Sequence, residues 1–442
     1  GTDSFAIGTD TDATGTSSLA IGKGAQATAN HNLAIGLNAT ASGERAIAIG
    51  NNGITAGSTY STAIGHNSGL QGSVTATGSG AMALGGSYAS GVDTLAAAID
   101  NNTSSYGATG ATSIAIGNLA KATGTNSVAI GKGSVAEATE AMAVLDGTAS
   151  SQDAFAVLGT VYSGAIGGVA IGKAATVSAN YGTALGYKAT SINTYSVAIG
   201  WSRAAGSHGF AAAITDESSS YGTTAANAVA IGYRAKASGA KSIALSGENA
   251  AASGAGSFAA GGEHQTASGA YSVSIGGSVN TASGESSYAF GVRALAAQVG
   301  KYAYGAYLTS TAGATQGGMM VLNAATTDAT ATVLSSNSSA AGSTNQIVAA
   351  SDTAITFEGS VTGIQNGAQA FGSFLISGLL VNDGGTTTLV NSATTVIDNQ
   401  SSWTVAMSAD NTNNALAITV TGEASHNIRW VANIRTSEVT YA

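Results

Sequence analysis

The 442-residue chain carries 14 Lys+Arg against 23 Asp+Glu, a net charge of 14 − 23 = −9, with only 8% of residues charged. It holds 62 Gly but no Pro and no Cys, which excludes collagen, a disulfide scaffold, a Cys-ligated zinc site and a Cys nucleophile. At 44% hydrophobic residues with so little charge, it is no disordered polymer either.

From the N-terminus the chain repeats itself. Phe5-Ala6-Ile7, Leu19-Ala20-Ile21, Leu33-Ala34-Ile35 and Ile47-Ala48-Ile49 are each closed by a glycine, and Gly8, Gly22, Gly36 and Gly50 fall 14 residues apart. The series resumes at Gly117, Gly131, Gly172, Gly186, Gly200, Gly232 and Gly276. Degenerate copies such as Ala98-Ile99-Asp100 and Ala213-Ile214-Thr215 fill the gaps, and Tyr304-Gly305 ends the series. About twenty coils of this length predict a solenoid, because one coil is too thin to bury its own apolar residues.

Fourteen residues suit two short strands and two tight turns. Large apolar residues two apart share one face of a strand, with Ala on the other. Each glycine marks a turn that a Cβ would resist. The expectation is that Val and Ile fill the roll, leaving an Ala/Ser face to meet another copy of the chain. Pro is absent because it would remove a ladder hydrogen bond from any such strand.

The stretch Asn126-Ser127-Val128-Ala129-Ile130-Gly131 resembles the signature of the heads of YadA-like trimeric adhesins. The resemblance covers residues 1–305. It implies a parallel, left-handed β-roll and a homotrimer.

Within these coils, Ala96-Ala97-Ala98-Ile99 and Ala211-Ala212-Ala213-Ile214 each precede a few extra residues, ending near Tyr106 and Tyr221. Insertions map to one side of a solenoid and can carry binding, so both tyrosines are receptor-binding candidates. Trp201, directly after Gly200, is a third. Tyr302, Tyr304 and Tyr307 are expected to cap the last coil.

Residues 306–345 read as a connector rich in Ser, Thr, Ala and Asn. Beyond 346 the strands lengthen. Ala354–Val361, Trp403–Met407, Leu416–Val420 and Ile428–Ile434 alternate apolar with polar residues, which predicts an antiparallel β-sandwich over 346–442. Trp403 and Trp430, in phase with apolar neighbours, are expected in its core. Asn382, Asp383, Asp410 and Asn411 stand in turn clusters and complete the receptor-binding candidates.

The closing stretch Ala417–Ala432 resembles the C-terminal domain of tail-fibre-type virion proteins of marine phages. That resemblance implies a virion fibre that attaches to a host cell-surface glycan or protein and assembles with other virion proteins. A bacterial trimeric adhesin should instead continue into a neck, a coiled-coil stalk and a β-barrel anchor, and no such segment follows residue 305. The chain opens without Met in mid-repeat, as a trimmed chain would.

Enzymatic signals are missing. The five His are scattered, no Gly-x-Ser-x-Gly elbow occurs, and acidic pairs such as Asp10 and Asp12 or Asp216 and Glu217 fall in predicted turns. One Asp-x-Asp pair is thin support for calcium. The expectation is no catalytic residue, no metal and no cofactor. Absence of a basic run argues against nucleic acid, and no apolar stretch nears the ~20 residues of a membrane span. Taken together, the residues predict an all-β, extracellular, homotrimeric virion fibre. The alternatives are a bacterial surface adhesin fragment and, more remotely, a glycan-degrading tail spike.

Overall fold

A computed structural model of the chain describes residues 1–66, 74–99, 105–215, 220–307, 310–367, 370–399 and 402–441. It is all-β, with no helix among the described residues. Two compact units emerge, 1–208 and 209–442. Asp216 and Glu217 lie outside the described residues.

The first unit is a parallel β-solenoid. Each coil contributes a three-residue strand, such as Leu19–Ile21, and a two-residue strand, such as Gln26–Ala27. Like stacks on like in the next coil: Leu19 pairs with Leu33, Ala20 with Ala34, Ile21 with Ile35 and Ala27 with Ala41. In-register stacking satisfies the backbone of each strand through its neighbours.

The filling of the roll reverses the sequence expectation. Ala20, Ala27, Ala34, Ala41, Ala48 and Ala129 are fully buried, whereas the flanking Leu, Val and Ile stand outside. The reason is the narrow bore. Two strands of one coil face each other, mostly with Ala on both, as in Ala20 and Ala27. Val161 and Val177 fit on the two-residue strand opposite an Ala, and a large side chain on both strands would overfill that space.

Two kinds of corner close a coil. At one, all eleven glycines singled out from the sequence have positive φ. Gly22, at φ 124°, illustrates why: a Cβ there would sit 2.5 Å from the carbonyl oxygen of Gly36 in the next coil. The other corner needs no glycine. Asn126, Tyr181, Tyr195 and His208 occupy left-handed conformations with φ of 58°, 55°, 57° and 55°. Each donates a backbone hydrogen bond to the preceding coil, for instance Tyr181 N–H to the Ile166 carbonyl at 2.8 Å.

The second unit begins with coils of the same kind, ending at Tyr302–Gly305. There the direction of pairing changes. Thr315–Thr326, from the stretch read as a connector, lies antiparallel to this last strand and then to Ile428–Thr440. Thr353–Gln365, Phe371–Asp383 and Thr386–Asn399 extend the same sheet. A smaller sheet of Thr332–Val333, Ala415–Thr421, Ile347–Val348 and Thr404–Asp410 accompanies it. Between them lies a core that includes Phe357, Phe374, Leu380, Ile418, Trp403 and Trp430. The two tryptophans meet edge to face at 5.2 Å, and the Trp430 indole N–H donates to Thr326 Oγ1 at 3.0 Å.

The end of the roll is closed differently from expectation. Tyr302, Tyr304 and Tyr307 point outward, with Tyr302 stacked on Tyr288 at 4.4 Å and Tyr307 beside Arg293. Closure comes from the antiparallel strand and from Lys301, which occupies the inward position that Ser287 holds one coil earlier. Its ammonium meets Glu438 at 2.8 Å, and Glu438 also accepts from Gln316 at 2.7 Å and Thr436 at 2.6 Å.

Candidate binding surfaces of the coils and the C-terminal loops

Because alanine occupies the inward position of nearly every three-residue strand, the large apolar residues of those strands turn outward. In the first unit this face carries Leu33, Ile35, Ile47, Ile49, Ile116, Val128, Ile130, Val169, Ile171, Val197 and Ile199. Ile130 and Ile199 are 37% and 39% exposed. The second unit continues the theme with Val229, Ile231, Val273 and Ile275. No charged residue occupies the outward positions of the three residues that begin these strands. Soluble monomers rarely leave so extended an apolar face in water. It is suited to contact with an equally apolar surface.

The opposite, two-residue strands present a polar face, with Thr148, Thr160, Thr176 and Thr190 on successive coils. On this face Lys121 pairs with Glu137 at 2.9 Å. The hydrogen bond from Lys121, aided by Ser150, holds the Glu137 carboxyl below its ordinary range.

Aromatic side chains gather at the corners. Tyr181 stacks on Tyr195 at 5.0 Å, and Tyr195 on His208 at 5.0 Å. At the glycine corner Trp201 meets Tyr187 at 6.0 Å. Sequence reading singled out Trp201 but missed this company, since residues one coil apart become neighbours only once the register is known. Tyr106 and Tyr221 are both partly buried, with Arg234 beside the Tyr221 ring.

Of the C-terminal candidates, Asn382 is a correction. It is buried, and its amide donates to the Ala349 carbonyl at 2.8 Å, so it serves the scaffold. The turn expected at Asn382 and Asp383 is a tight hairpin with only Gly384 and Gly385 between strands. Asp383 is exposed beside it. Asp410 braces its own turn: Asn413 donates its side-chain amide at 2.7 Å, and the Thr412 and Asn413 amides follow. These bonds, the Asn413 side chain first, hold the Asp410 carboxyl below its usual range. Asn411 accepts from the Thr387 amide at 2.7 Å and so joins this turn to the hairpin.

Compared with known families, the chain matches the YadA head domain repeat at residues 1–25, 13–31, 33–52, 108–144, 164–189, 181–202 and 224–245. All of these lie in the coils, so the likeness of the C-terminal segment to tail-fibre proteins gains no support from the match. No curated protein matches the chain significantly.

Proposed function

We propose that this chain, with its YadA head repeats, is an extracellular, homotrimeric, adhesin-like fibre displayed on a bacterial surface. The observation that carries the reading is the uncharged apolar face of the coils. A face of Ile, Val and Leu repeated on each coil is self-complementary, and three copies in parallel register would cover it. The polar Thr/Ser face and the corners would then remain toward solvent and the target surface. The braced turn at Asp410–Asn414 adds a second candidate contact on a rigid scaffold.

A virion fibre attaching a phage to its host is the second reading. It is favoured by one feature: the last coil passes straight into an antiparallel two-sheet domain, where an adhesin head would lead into a coiled-coil neck. Both readings treat the C-terminal domain as the element that fixes the register of near-identical coils.

Sedimentation of the purified chain tests the shared premise, with a stable trimer expected and a stable monomer fatal to it. Gold-labelled antibody against the coils then separates the two readings, by decorating bacterial envelopes in one case and phage particles in the other.

A further inference from the structure

Between Asp153 and Asp216 the sequence contains no carboxylate, although the chain as a whole is at −9. The same stretch holds Lys173, Lys188 and Arg203, a local balance of 3 − 0 = +3. It also holds Tyr162, Tyr181, Tyr187, Tyr195 and Trp201, all exposed.

The fold turns part of this composition into a column. Lys173, Tyr187 and Trp201 each follow one of the stacked glycines Gly172, Gly186 and Gly200. Their coils are locked together by the Gly186 amide on the Ile171 carbonyl and the Gly200 amide on the Leu185 carbonyl, both at 2.7 Å. Lys188 Nζ lies 5.7 Å from the centre of the Tyr187 ring and 5.1 Å from that of Trp201. An exposed aromatic pair with an ammonium over its rings combines apolar ring surface with charge-assisted donors.

We infer that the column Lys173–Tyr187–Lys188–Trp201 binds an acidic polysaccharide, one whose sugar rings pack on Tyr187 and Trp201 and whose carboxylates meet Lys173 and Lys188. This deepens the adhesive reading and rests on it. The column does not belong to the contact between copies. In a parallel, in-register trimer the same coils face one another, and these coils contain no carboxylate, so a lysine buried there would meet only lysines. Nucleic acid fits less well, because three cations release few counterions and the rest of the chain is acidic.

The test uses the full chain and three immobilised probes: alginate, neutral dextran and single-stranded DNA. Alginate alone is expected to retain the protein, and added salt should weaken its hold. Trp201→Ala removes no charge, and Lys188→Gln leaves both rings. Each should raise the alginate Kd about tenfold, equivalent to about 1.4 kcal/mol, with sedimentation unchanged. The inference is overturned if alginate is not retained, if both variants bind like the parent, or if DNA is held as well as alginate. An altered oligomer in Trp201→Ala would also overturn it, by placing the column in the interface. Cells that still adhere through a chain blind to alginate would defeat only this inference. Alginate binding by a chain that confers no adhesion would instead defeat the adhesive reading.

Discussion

In the coils most of the fully buried side chains are alanines, joined by a few larger ones such as Ile54, Val161, Val177 and Ile214, while Ile130 and its counterparts are in contact with solvent. In the C-terminal domain Phe357, Phe374, Trp403 and Trp430 are buried, and polar residues such as Thr356, Thr362 and Asn433 face out. Burying an alanine removes little apolar area, so a coil draws its order mainly from the hydrogen-bonded ladder. The C-terminal domain draws on a conventional core. The coils therefore depend on stacking against one another, whereas the C-terminal domain has a core of large side chains of its own.

The strongest way to break this contrast compares two adjacent positions. Ala129→Glu places an unpaired carboxylate in a bore that has no room for it, and burial of that kind costs several kcal/mol. Loss of soluble folded protein by circular dichroism is expected. Ile130→Lys, one residue on but outside, should keep the β-sheet spectrum and dissolve the proposed trimer in sedimentation. Equal behaviour of the two would show that inside and outside are misassigned.

Next in size is the ion pair that closes the roll. Glu438→Ala strands a buried ammonium on Lys301 and should cost about 3–5 kcal/mol in chemical denaturation. Replacing both partners, by Lys301→Met and Glu438→Leu, should recover most of that loss. Without recovery, closure would depend on the Gln316 and Thr436 bonds to Glu438 instead.

A smaller effect is expected at the glycine corner, where Gly22→Ala forces a side chain into φ 124° and against Gly36. About 1–3 kcal/mol is expected, read as a lower melting temperature. Smallest of all is the pH effect of Glu137. Its folded carboxyl titrates below its unfolded value, so its contribution is present above the unfolded pKa and fades as pH falls through the folded one. With both partners substantially exposed, the pair is worth under about 0.5 kcal/mol. Glu137→Gln should therefore lower the melting temperature slightly near neutrality and converge with the parent once the pH falls below the folded pKa of Glu137.

Much of this architecture is legible in the residues. The 14-residue spacing of Gly8, Gly22 and Gly36 fixes the coil, and the alternation in Ile428–Ile434 marks a long C-terminal strand. The direction of the coil faces is not legible in the same way, because a period of two reports alternation and leaves the buried side open. The decisive clue lies in comparing both strands of a coil: Ala20 and Ala27 recur on both, whereas Leu19 and Ile21 have no large counterpart across the bore. The corner at Tyr181, Tyr195 and His208 was missed because left-handed backbone is ordinarily signalled by Gly or Asn. There the ladder bonds to the preceding coil hold the conformation and allow aromatic residues.

The placement of the three tryptophans gives the molecule a set of optical reporters. Trp201 stands partly in water on a coil, so its emission lies toward the red and is open to soluble quenchers. Trp403 and Trp430 share a dry interior at 5.2 Å, which shifts their emission to the blue and couples their near-ultraviolet dichroism. Unfolding of the C-terminal core and events at the coil surface therefore leave separate spectral traces in one unlabelled sample.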